Sequence, residues 1–129
     1  QSTRPATLGS AEHFALAKRL RPLREQGVLI VGSGNIVHNL RAYRPDAPPH
    51  QWAQAFRLGI NSALQQGEFD RIADYLNQWG NDARLAAPTP EHFLPLLYVL
   101  AQHDDGQAVE LFNDEIIGGA LSMTSVRVN

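Results

Sequence analysis

The sequence predicts an α/β domain, with helices packed on a central, mostly buried mixed sheet. Three observations predict it. Apolar residues recur at helical spacing through the middle of the chain, short β-branched runs lie toward both of its ends, and a helical stretch feeds directly into one of those runs, Val28-Leu29-Ile30-Val31, which ends in the turn Gly32-Ser33-Gly34-Asn35. Helix-then-strand units of this kind build α/β architecture. A strand leading into a glycine turn and then into His38 places that imidazole at the carboxyl edge of a sheet, where open α/β sheets hold their ligands.

The elements follow in order. Residues Gln1 to Ser10 read as loop, with Ser10 as helix N-cap and Glu12 in the first turn. Phe14, Ala17 and Leu20 give an amphipathic helix from Ala11 to about Gln26, interrupted at Pro22 and capped by Gly27. Val28 to Val31 is the expected buried strand. Three prolines make 41–50 a loop. Trp52, Phe56, Ile60 and Leu64 then mark a helix ending near Gly67, and Phe69, Ile72, Tyr75, Leu76 and Trp79 mark another over 68–79, broken by Gly80-Asn81-Asp82. Thr89 as N-cap and Pro90 at the first helical position start a helix running to about His103, with Phe93, Leu96, Leu97 and Leu100 on its buried face. Asp104-Asp105-Gly106 is a solvated turn. Strands at 108–112 and 120–128 close the chain.

Composition bounds the function. The 129 residues suffice for one domain spanning 1–129, and a net charge of −2 argues against a nucleic-acid binder, which shows a clustered basic face. There is no cysteine, so disulfide frameworks and cysteine-based zinc sites are excluded, and a reducing, cytoplasmic setting is expected. No apolar run reaches the length of roughly 20 residues that a membrane span needs. The first residue is Gln1 rather than methionine, which suggests a processed chain or a piece of a longer protein.

Two residues stand out as candidate chemistry. His38 follows the glycine turn, and His92 follows Pro88-Thr89-Pro90-Glu91. Neutral imidazole at either position can bind a metal or exchange a proton. His13, His50 and His103 lie on expected helix or loop surfaces. Gly32-Ser33-Gly34 completes no phosphate-binding motif, and Ser33 lies in no nucleophile elbow. Two histidines do not complete a mononuclear metal centre, which commonly takes three protein ligands.

Three stretches carry a family resemblance. Gly32-Ser33-Gly34-Asn35-Ile36-Val37-His38-Asn39-Leu40-Arg41, Pro88-Thr89-Pro90-Glu91-His92-Phe93-Leu94-Pro95-Leu96-Leu97-Tyr98 and Gly119-Ala120-Leu121-Ser122-Met123-Thr124-Ser125-Val126 resemble the C-terminal half of the class III (LigB-like) extradiol ring-cleavage dioxygenases, in their DOPA 4,5-extradiol dioxygenase branch. The resemblance implies an α/β fold of which this chain supplies the C-terminal half. It implies opening of a catechol-type ring beside its two hydroxyls with O₂ and one mononuclear Fe(II), or Zn(II). It places His38 at the metal, as ligand or as the catalytic acid and base, with Asn39 orienting it, and makes His92 a further metal ligand, with Glu91 the alternative. The family's glycine-histidine-glycine-serine-proline, serine-alanine-histidine and aspartate-histidine-glycine motifs are not in this sequence. The missing donors are therefore expected from the N-terminal half or a second chain, and the strand at 28–31 is expected to leave an exposed, aggregation-prone surface without it. The alternative is a non-catalytic α/β fragment that binds a partner.

Overall fold

The Gly9 N–H donates to Glu12 Oε1 at 2.9 Å, so the first helix, α1 (Ser10–Lys18), begins with one otherwise free amide satisfied. Gly9, not Ser10, holds the N-cap position, and the Ser10 hydroxyl donates instead to the Ala73 carbonyl. The computed structural model describes residues 8–129, so most of the loop expected over 1–10 lies outside the described residues. Pro22 acts as expected: α1 stops, and a separate turn of helix, α2 (Pro22–Glu25), starts with the proline at its head, where a missing N–H costs nothing. Gly27 follows with φ +82°, a left-handed position that glycine takes without strain.

Next comes the stretch expected as a buried central strand, and here the structure corrects the sequence. Residues 28–35 form no regular element and belong to no ladder, and Leu29 and Val31 are 83% and 76% exposed. Composition favours a strand there, but a strand is made by its neighbours, and no described strand pairs with this segment. The chain turns inward only at Ile36 and Val37, both buried.

The helical layer is built on α3 (Gln51–Gln65), whose Ala53, Phe56, Ile60, Ala63 and Leu64 are all fully buried. It packs on α4 (Phe69–Ala73) and α5 (Tyr75–Ala86). Phe56 sits among the rings of Tyr75, Trp79 and Phe93, at centroid distances of 6.4, 5.9 and 5.8 Å. The helix expected over 68–79 is divided at Asp74. Gly80 does leave helical geometry, with φ 53° and ψ −123°, but the chain re-enters helix and continues to Ala86. The last helix, α6 (Leu94–Leu100), packs on α1 and starts later than expected. Thr89 is no N-cap: its hydroxyl donates to Glu91 Oε1 at 2.8 Å, and residues 88–93 form turns instead.

The described sheet structure is small. β1 (Glu110–Phe112) pairs antiparallel with β4 (Ser125–Arg127), and β2 (Ile116–Ile117) with β3 (Leu121–Ser122). The strand expected over 120–128 is thus two. Between them the Met123 N–H donates to the Glu115 carbonyl and Thr124 Oγ1 donates to Asp114 Oδ1 at 2.7 Å, which takes both residues off the ladder. The mixture of helix and sheet is as expected. No helix among the described residues is long and apolar enough to cross a membrane.

Candidate metal centre

Backbone hydrogen bonds fix His38 from both sides. Its N–H donates to the Ala86 carbonyl at 2.7 Å, at the end of α5, and it bridges to Leu121 of β3. Beside it, Ser122 N–H donates to the Val37 carbonyl at 2.9 Å and Asn39 N–H to the Ala120 carbonyl at 3.1 Å. The Asn39 amide donates to the Leu85 carbonyl at 2.8 Å, and its oxygen accepts from Ala42 N–H at 3.2 Å. Asn39 therefore orients His38 through the main chain.

His92 arrives from the turn ahead of α6, not from within a helix as expected, because helix begins only at Leu94. Two features hold it. The side chain of Phe93 is fully buried, and the His92 carbonyl accepts from Asn35 N–H at 2.7 Å. Asn35 also donates through its side chain to the Ser122 carbonyl at 2.8 Å. This cross-link was not singled out in the sequence. The only signal for it was the place of Asn35 directly after Gly34 and three residues before His38.

Between these anchors the two imidazoles meet face to face, with ring centroids 3.6 Å apart and planes 16° from parallel. Partial burial lowers the pKa of His38, and the neighbouring His92 lowers it further, because two imidazolium rings at this spacing repel. Neutral imidazole is the form that ligates metals and accepts protons. The rings that hydrogen-bond to other described residues are those of His13, to Tyr98, His50, to Ala42, and His103, to Gln107. The His38 ring engages its own backbone, and no side chain among the described residues hydrogen-bonds to either the His38 or the His92 ring.

Two imidazoles side by side suit Fe(II) or Zn(II), for which imidazole is a preferred donor. The set is incomplete, because no group of three or more histidine, cysteine or acidic side chains occurs among the described residues. Glu91 does not complete it. Its carboxylate is solvent-exposed and held below the usual carboxylate pKa by its own backbone N–H and the Thr89 hydroxyl. His92, rather than Glu91, faces His38.

The weaker motifs settle as ordinary structure. A Cβ at Gly32 would come within 2.6 Å of the Pro95 carbonyl oxygen, and one at Gly34 would fall onto that of His92. Carbonyl oxygens line this turn on that side, the opposite of a phosphate cradle. Asp104 pairs with Arg21 at 2.8 Å on an exposed surface.

Comparison with known proteins follows the same lines. No family model matches the chain. A protein of Escherichia coli K12 named 4,5-DOPA dioxygenase extradiol is 39% identical over 132 residues, covering 98% of this chain and 46% of that protein. Proteins of the same name from Beta vulgaris and Portulaca grandiflora are 32% and 31% identical, each covering 93% of this chain and 45% of their own length. The crystal structure of an uncharacterized E. coli K12 protein superposes with a TM-score of 0.85 at 35% identity, over 95% of this chain and 51% of that one. The chain thus spans about half the length of the curated relatives it matches.

Proposed function

We infer, from the premise that this chain fits the C-terminal half of the LigB-like extradiol dioxygenase family, that it supplies two side chains of a catechol-cleaving active site. The observation that carries this reading is the face-to-face packing of His38 and His92, with ring centroids 3.6 Å apart. His92 holds the metal, Fe(II) or Zn(II), together with donors from the other half of the protein, and His38 stands beside it as acid and base. A bound Fe(II) supplies the Lewis-acid and redox chemistry of ring opening. The chain's own task is proton handling. His38, kept neutral by burial and by its neighbour, accepts a proton from a phenolic hydroxyl as the catechol binds and returns it as the ring opens. Asn39 and the Ala86 carbonyl hold His38 in place for both transfers. The substrates are a catechol-type molecule and O₂, and the absence of cysteine fits a reducing, cytoplasmic setting.

Replacing His38 by Ala in the complete protein tests the reading. General acid–base catalysis contributes about 10²–10⁴-fold, so ring cleavage should fall by about that factor with the circular dichroism spectrum unchanged. Turnover within a few-fold of the unsubstituted protein removes the catalytic role. This chain alone, with two donors, should show no cleavage.

A further inference from the structure

We propose that Asn35 is a positioning residue of this site. Its side-chain amide holds the glycine turn against β3, and through that turn it sets where the His92 ring stands over His38. The consequence for metal binding rests on the reading of His92 as a ligand.

The two imidazoles are anchored in different ways. His38 is fixed by main chain: its own N–H bonds to the Ala86 carbonyl at 2.7 Å, Asn39 N–H to the Ala120 carbonyl at 3.1 Å, and Ser122 N–H to the Val37 carbonyl at 2.9 Å. Ile36 and Val37, just ahead of it, are buried. His92 has no such ladder. Phe93 beside it is fully buried, with its ring 4.1 Å from that of Tyr75 and 5.8 Å from that of Phe56, so it ties the turn to the helical layer. Outside the helices and strands, one main-chain hydrogen bond among the described residues reaches His92. Its donor is Asn35 N–H, at 2.7 Å.

That N–H is held in place by the side chain of the same residue. The Asn35 amide donates to the Ser122 carbonyl at 2.8 Å. A regular antiparallel pair of Val37 and Ser122 would exchange two main-chain bonds. Among the described residues the bond from Ser122 N–H to Val37 forms and the reciprocal one does not, and the Asn35 amide takes the Ser122 carbonyl instead. Ser122 therefore grips both ends of the segment 35–37, one through a side chain and one through main chain. His38 follows directly, and His92 hangs from its start.

The contact leaves little slack. A Cβ on Gly34 would fall onto the His92 carbonyl oxygen, so the turn and the His92 main chain already touch. A displacement of Asn35 passes to His92, while His38 keeps its bonds to Ala86 and Ala120. The chemistry of the side chain is specific. A carbonyl accepts and cannot donate, so it needs the amide NH₂. Aspartate has the same shape but, ionised, offers only acceptors, and would set oxygen against oxygen.

Two measurements on the complete protein test this. One is Zn(II) affinity by competition with a chromogenic chelator. The other is the NOE between the ring protons of His38 and His92 in the metal-free protein. Asn35→Asp should abolish the NOE and weaken Zn(II) binding by about 10–100-fold, with the far-ultraviolet circular dichroism unchanged. Asn35→Ala keeps the main-chain N–H, should act in the same direction, and serves in place of the aspartate if that variant does not fold. In His92→Ala there is no ring to position, so adding Asn35→Asp should weaken binding by less than about 2-fold more. A retained NOE in Asn35→Asp overturns the proposal. So does unchanged affinity in Asn35→Asp where His92→Ala loses it, and so do losses that simply add in the double variant. A loss in Asn35→Ala that Asn35→Asp does not share overturns it too, because volume and not the hydrogen bond would then be at work. An NOE lost in Asn35→Asp, with Zn(II) held as tightly by His92→Ala as by the unsubstituted protein, upholds the positioning role and removes His92 as a ligand.

Discussion

Asp114 shows how much of the site's support is carried by one side chain. Its carboxylate accepts from Arg57 at 2.8 Å and Asn61 at 2.9 Å on α3, and from Thr124 at 2.7 Å between β3 and β4. Partial burial pushes its pKa up, but the hydrogen bonds from Thr124, Arg57 and Asn61 outweigh burial and hold it below the usual carboxylate value. The native state therefore gives up this proton more readily than the unfolded chain. The resulting stability is fully present above the ordinary aspartate pKa of 3.8 and is lost as pH falls through the lower native value. Asp114→Asn should lower the urea midpoint at pH 7 and shrink its drop between pH 5 and pH 3, as measured by tryptophan fluorescence. At the same scale, His92→Ala in the complete protein should weaken metal retention by about 10-fold or more, read as metal content after dialysis. Unchanged content would argue against ligation. His38 was legible because a glycine turn announced it. What residue patterns did not convey was Asn35, whose role depends on a carbonyl far along the chain.

Among the elements, α3 was the most legible, because a four-residue apolar spacing needs no partner to be recognised. Its central ring is also the most consequential. Phe56 is fully buried among three other aromatic rings, and Phe56→Ala should cost about 3–5 kcal/mol in urea unfolding, by lost burial plus the cavity left behind. The segment at 28–31 shows the converse. Val28 to Val31 has the composition of a buried strand, yet composition reports what a segment fits, and its neighbours decide whether it is covered. Gly80-Asn81-Asp82 reads as a helix stop, and Gly80 does leave helical geometry at φ 53°, but one residue of broken geometry does not prevent helix from resuming. β2, with two residues, is too short to leave a pattern. The turn at Gly32 to Asn35 tests how tightly an element is bound to the site. Gly34→Ala would set a methyl group on the His92 carbonyl oxygen and force the two segments apart. It should lower both metal retention and turnover in the complete protein, while helix content by circular dichroism stays within a few per cent. An active, metal-replete Gly34→Ala protein would show that the turn and His92 move independently.

At the scale of the whole molecule, the helical layer and the histidine pocket share one backbone. The last two residues of α5, Leu85 and Ala86, give their carbonyls to the Asn39 side chain and the His38 amide. Further back on the same helix, Trp79 lies edge-on to Phe56 at 5.9 Å and under the Arg71 guanidinium at 4.9 Å. An indole in that position senses both a polarising cation and the packing of its own helix. The molecule thereby carries an optical gauge, wired to the pocket by main chain. In the complete protein, titration with Zn(II) or a catechol should shift the emission of Trp79, and Trp79→Phe should silence the response. Trp52, stacked instead on His50 at 5.0 Å, should contribute only a steady background.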